Sequence, residues 1–184
     1  MKIPDSWINL KTFPDDLILT KELVYDYCNL ECTQPQPEAE STEYSAYRFE
    51  INKKTICYRE AKITPTKTGQ FVTLWKRNIS GTIEPFDFSD TIDFVIISVR
   101  KENSFGQFIF PKAILLEKGI FSTATKEGKR ATRVYPPWDV TTSKQAQKTQ
   151  KWQLDYFLEI TKDETIDLKA KELRDKLSRL LFQI

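Results

Sequence analysis

The stretch TIDFVIISVR (91–100) constrains this chain more than any other. It is a near-continuous apolar run, the mark of a strand buried on both faces at the centre of a sheet. FGQFIFPK (105–112) is predicted as its antiparallel partner, ending at Pro111. Upstream, AYRFEI (46–51) and TICYREAKI (55–63) flank a turn at Asn52–Lys54 and predict a hairpin. QFVTLWKR (70–77) supplies a third strand, and GKRATRVYPPW (128–138) a further one stopped by Pro136 and Pro137.

Helical patterns lie on both sides of this block. DDLILTKELVYDYCNL (15–30) places Leu19, Leu23 and Tyr27 on one stripe, with Asp15 and Asp16 in its first turn. Residues 113–120 predict a short helix closed by Gly119. Thr142 and Gln145 are spaced to cap the helix of 143–160, on which Lys144, Lys148 and Lys151 share a face. The last segment carries a narrow seam of Ile166, Ala170, Leu173, Leu177 and Leu180. Residues 33–43, TQPQPEAESTE, read as an exposed acidic loop. The expected fold is an α/β or α+β single domain spanning 1–184, with a mixed sheet of about five or six strands. Its parts are an N-terminal helix (15–30), a sheet core with a short helix (44–138) and C-terminal helices (142–184), with a restriction-endonuclease-like core as an open variant.

Composition narrows the chemistry. The 184 residues contain no histidine, which removes His-based triads, HExxH zinc sites and histidine general bases. Three cysteines, Cys28, Cys32 and Cys57, with no signal-peptide pattern at the N-terminus, predict reduced thiols and a cytoplasmic address. No apolar run reaches the ~18–20 residues of a membrane span, so no membrane partner is expected. Nor does the chain contain a Walker A loop, GxGxxG or GxSxG. Charge is segregated: residues 1–50 carry a net −6, residues 51–152 a net +9, and residues 153–184 a net −1. A basic centre favours an anionic partner, unless the acidic ends fold back and neutralise it.

A metal-dependent PD-(D/E)xK nuclease needs two carboxylates and a lysine on one hairpin. Glu60-Ala61-Lys62 is an ExK string, but the residue opposite Glu60 is expected to be Ala46 or Tyr47, and neither is acidic. Asp93 falls opposite Lys112, but Phe110 stands where the second acid belongs. Asp93, Glu60, Lys62 and Lys112 are therefore weak catalytic candidates, and Mg²⁺ is implied only if the nuclease alternative holds. Otherwise no cofactor or metal is expected.

The ordered strings AKITPTKTGQFVTLWKR, DFVIISV, GQFIFPK, GKRATRVYPPWD and SKQAQKTQKWQ together resemble the MepB-like family over roughly Arg59–Phe157. The resemblance carries no catalytic residues onto this chain. It implies that the central bases stand inside shared blocks, and a link to the restriction-endonuclease-like fold would fit the Asp93/Lys112 hairpin. The expected function is nucleic-acid binding, DNA in the first place, without catalysis. The residues expected to carry it are Arg59, Lys62, Lys67, Lys76, Arg77, Lys112, Lys129, Arg130, Arg133, Lys144 and Lys148, with Trp138 stacking or bracing a strand end. The alternatives are the Mg²⁺ nuclease and a protein-interaction module, or homo-oligomer, built on the C-terminal amphipathic helix.

Overall fold

Alternation along Phe94–Val99 divides one strand between two hydrophobic cores. Phe94 and Ile96 point into one core, Val95, Ile97 and Val99 into the other, and all five are buried. The computed structural model, which describes residues 7–161 and 175–181, builds the whole domain around this strand. In chain order the elements begin with α1 (Asp15–Thr20), continued by a wider π-helical turn over Lys21–Tyr25. Strands β1 (Gln36–Pro37), β2 (Tyr47–Ile51), β3 (Lys54–Glu60), β4 (Lys62–Thr64), β5 (Lys67–Thr73), β6 (Trp75–Arg77) and β7 (Ile83–Pro85) follow. Then come β8 (Phe94–Lys101), β9 (Ser104–Pro111), α2 (Lys112–Glu117), β10 (Ala131–Val134), α3 (Lys144–Gln153), β11 (Phe157–Glu159) and a final helix α4 at 175–181.

The main sheet is mixed and six-stranded, in the order β1-β2-β3-β8-β9-β11, with β3 and β8 parallel and the other neighbours antiparallel. A second sheet, β10-β5-β4, and the hairpin β6-β7 lie apart from it. One face of the main sheet packs under Leu17, Val24 and Tyr25 from the N-terminal helical segment and Leu177, Leu180 and Leu181 from α4. The other face packs under Val72 of β5, Leu74 in the link that follows it, Val134 of β10 and Leu115 of α2. Each fully buried aliphatic side chain of this kind contributes about 1.5–3 kcal/mol of transfer free energy. The described part of the C-terminal seam, Leu177 and Leu180, is thus buried in the domain's own core. Ile166, Ala170 and Leu173 lie outside the described residues.

Three local expectations need correction. The β2–β3 hairpin turns on two residues, Asn52 and Lys53, both left-handed at φ 46° and 66°, as a primed two-residue turn requires. The shorter turn puts Ser45, rather than Ala46 or Tyr47, across from Glu60, and the Ser45 hydroxyl donates to Glu60 Oε2 at 2.7 Å. Helix α3 is capped by Ser143, whose Oγ accepts from the Ala146 amide at 3.1 Å, and not by Thr142. Third, 157–159 is a strand where a helix was expected. It pairs with β9, Phe157 opposite Phe108 and Glu159 opposite Gly106. Gly106 makes this approach possible, since a Cβ there would collide with the Phe157 ring and the Leu158 carbonyl. Phe157 and Leu158 then enter opposite cores, which a helix could not achieve from adjacent positions.

Candidate nucleic-acid interface

The expected basic residues divide into two groups according to what holds them. Arg59 is 1% exposed; it donates to Glu38 and, at 2.8 Å, to the Tyr58 carbonyl. Glu38 also takes Arg48 at 2.5 Å, so one carboxylate faces two guanidinium groups. Arg77 pairs with Glu40 at 2.7 Å and donates to the Gly81 carbonyl. Lys76 sits among Asp87, Asp90 and Glu84 at 2.6, 2.8 and 3.6 Å. Lys112 donates to the Asp90 carbonyl. The acidic segment after β1 therefore folds back onto Arg59 and Arg77, carboxylates of residues 84–90 match Lys76, and Lys112 is tied to a neutral backbone carbonyl.

The Lys76 network gives a pH signature. Burial alone would raise the Asp87 carboxyl, but hydrogen bonds from Lys76 and Ser89 override it and draw it down to about 2. A depressed carboxyl adds stability above its unfolded value of about 4 and loses it as pH falls through the folded value. Between about pH 4 and 2 the urea midpoint of Asp87→Asn is expected to converge on that of the wild type. Parallel curves across that window would remove Asp87 as the cause.

The second group lies on and beside β10. Lys67, Lys129, Lys144, Lys148 and Lys151 are exposed, and their ammonium groups have no partner among the described residues. Lys62 is exposed too, with its ammonium 5.1 Å from the centre of the Tyr44 ring. Arg130 pairs with Glu127 at 2.9 Å. Arg133 donates to the Lys67 and Gly69 carbonyls and to Thr64 Oγ1, all neutral acceptors that leave its charge uncompensated.

Helix α3 is fastened to this strand. Gln153 is buried, and its side chain accepts from the Tyr135 amide at 2.8 Å and donates to the Arg133 carbonyl at 3.0 Å. Gln150 donates to the Pro136 and Asp139 carbonyls. Ala146, Gln150 and Gln153 thus turn inward, and Lys144, Lys148 and Lys151 turn outward. The glutamine clamp was missed in the sequence, although glutamines on the face opposite a lysine stripe were there to be read. Residues 128–153 hold six bases and one acid, Asp139, which lies 3.4 Å from Lys101. Trp138 is half-buried, set edge-on to Phe157 at 5.6 Å, and its indole nitrogen is enclosed. That arrangement packs Trp138 against the core beyond the end of β10.

The weak catalytic candidates are not brought together. Asp93 lies opposite Lys112, as the hairpin register predicts: the Lys112 amide donates to the Asp93 carbonyl at 2.9 Å. The Asp93 carboxylate accepts from the Thr55 amide at 2.8 Å, and with Lys54, Lys112 and Leu181 it lines a cleft of about 420 Å³. Phe110, in the position a second acid would need, is buried and stacked on Phe108. Glu60 pairs with Ser98 on β8, at the other end of these parallel strands from Asp93 beside Thr55. Five residues at about 3.3 Å each separate them by roughly 16 Å, too far to ligate one Mg²⁺. Lys62 is on β4, in the second sheet. Among the described residues no group of three His, Cys, Asp or Glu side chains is arranged to hold a metal ion, and no helix is long and apolar enough to cross a membrane.

Comparison with known proteins adds a lineage to this geometry. A model of the MepB-like family matches residues 38–159. The crystal structure of MepB is similar at 36% identity and a TM-score of 0.72, covering 82% of this chain and 100% of that one. No curated protein matches.

Proposed function

The chain belongs to the MepB-like family, and we propose that within it this protein binds nucleic acid, DNA first, through the face formed by α3, the edge strand β10 and the start of β5 beside it. The observation that carries the reading is the outer face of α3: three exposed lysines on a helix with no acidic residue, clamped by its opposite face to a strand whose own arginine charge is uncompensated. All of it falls within the span matched by the family. Lys67, Arg133, Lys144, Lys148 and Lys151 contact phosphates in this reading, with Lys62 and Lys129 at the margins. Arg59, Lys76 and Arg77 are ion-paired within the protein, and Lys112 lies in the Asp93 cleft, so these four are left out of the contact set. The contacts are to the backbone of the nucleic acid, so the binding is electrostatic and weakly selective for sequence.

The test is a salt titration of binding to labelled single- and double-stranded DNA, with and without Mg²⁺. Five phosphate contacts predict a log–log slope of about −4.5 on duplex. A flat dependence, or no binding at low salt, overturns the reading. Disappearance of intact DNA only with Mg²⁺ would replace it by nuclease activity.

A further inference from the structure

A second cleft, of about 590 Å³, opens at the opposite end of β3 and β8 from the Asp93 cleft, between the start of α1, the segment after β1 and the ends of β2, β3 and β8. Its charged side chains are Asp15, Asp16, Glu38, Glu60 and Arg100. Most of these charges are already matched. Asp16 holds Arg100, and Glu38 holds Arg48 and Arg59. Asp15 is exposed to water. Glu60 differs from all of them: it is half-buried, and its two oxygens accept only from neutral hydroxyls, Ser45 at 2.7 Å and Tyr58 at 3.2 Å. No lysine or arginine among the described residues pairs with it.

Behind Glu60 a chain of hydrogen bonds runs through the core. The Tyr58 hydroxyl lies 2.8 Å from Ser98 Oγ; Gln107 donates to that same oxygen at 2.9 Å; Tyr25 donates to Gln107 at 3.0 Å. Tyr25, Tyr58, Ser98 and Gln107 are all buried. A buried polar chain is tolerated only when its members satisfy one another, and this one ends at a carboxylate facing open space. It fixes Glu60 in position from behind and leaves the cleft side uncompensated. Burial raises the Glu60 carboxyl above its ordinary range; the Ser45 and Tyr58 hydrogen bonds oppose the rise, and Asp16 and Asp15 add to it. Tyr47 forms part of the wall, an aromatic ring edge-on to Phe13 at 5.8 Å.

We propose that this cleft is a binding site for a ligand bearing a primary ammonium or guanidinium group, which ion-pairs with Glu60 and rests against Tyr47. A carboxylate pre-positioned by two hydroxyls and lacking a counter-charge is completed by such a donor through a charge-assisted hydrogen bond. The aromatic wall favours a cation over a neutral amide. The charged group belongs either to a free small molecule or to a lysine or arginine side chain of a peptide. This site is separate from the α3 face and does not depend on nucleic-acid binding there.

The experiment uses the full chain with glutamate side-chain carboxyls ¹³C-labelled. The Glu60 titration is followed by NMR alone, with ethylammonium, with ethylguanidinium, and with a capped Gly-Lys-Gly peptide; potassium chloride at matched ionic strength is the control. The expected result is a Glu60 midpoint lowered by roughly one unit by the organic cations and unmoved by potassium. Calorimetric affinity for the same probe should fall about tenfold or more in Glu60→Gln. A response to the free amines alone assigns a small molecule; a response to the capped peptide as well assigns a side chain. A Glu60 titration unmoved by every probe up to tens of millimolar overturns the proposal, and so does equal affinity in a folded Glu60→Gln protein. The wild-type titration keeps the test valid should that variant fail to fold.

Discussion

Glu38→Ala is expected to lower the unfolding free energy by about 3–5 kcal/mol, the usual consequence of removing one partner of a buried ion pair. Glu38 is the carboxylate for both Arg48 and Arg59, and Arg59 is almost wholly enclosed. The Arg59 Nε already lacks a partner, so nothing nearby takes over when the carboxylate goes. Urea denaturation measures the loss as a lower midpoint at constant slope. The companion experiment is Glu38→Gln with Arg59→Met, which removes both charges and keeps most of the volume. It should cost far less than Glu38→Ala alone, because the larger part of that cost is the stranded guanidinium and not the lost attraction. A Glu38→Ala protein within about 1 kcal/mol of wild type would mean that water reaches Arg59 freely.

Reversing Lys144, Lys148 and Lys151 to glutamate is expected to abolish most DNA affinity. Three contacts at about 0.9 each take nearly 3 off the salt slope. At low ionic strength the affinity should fall by a factor on the order of 10² or more, since three attractions become repulsions. The fold should survive. The three side chains are exposed; Lys144→Glu in the first turn suits the helix dipole, and Lys151→Glu in the last turn opposes it by only about 0.3–1 kcal/mol. The measurement pairs a binding titration with a thermal melt of the same sample. Unchanged affinity with an unchanged melt would reduce the α3 face to a solvated surface. Reversing Arg77 or Lys76, which are engaged internally, should instead disturb the melt.

How much of this was legible depended on how local each cause was. The central strand, its partner and the β2–β3 hairpin follow from apolar runs and turn residues within about ten positions of each other, and all are present, the β2–β3 turn one residue shorter than expected. Gly119, at φ 64°, closes the short helix as expected. The fate of the bases was not legible. Glu38 reaches Arg59 across 21 positions and Glu40 reaches Arg77 across 37, and no periodic pattern marks a loop with no apolar anchors. Residues 157–159 misled for a different reason. Tyr156, Phe157 and Leu158 continue an amphipathic helix plausibly, and only the missing Cβ at Gly106, on a distant strand, shows why the chain straightens there. At Glu60 a one-residue difference in turn length replaced Ala46 or Tyr47 with the Ser45 hydroxyl, and with it the surroundings of the carboxyl.

The parallel pairing of β3 with β8 bears on the order in which the molecule assembles. All of β4 to β7 lies in the connection between those two strands. Closing that loop carries its entropic cost before any β3–β8 contact rewards it. The hairpins β2–β3 and β8–β9 can each form early from neighbouring residues, but they remain separate ribbons with unpaired outer edges until the intervening segment has condensed. A ribbon of that kind offers unpaired backbone groups to other chains. On the ribosome the sheet receives its last strand, β11, only after residue 159 has emerged, and it stays unfinished until then.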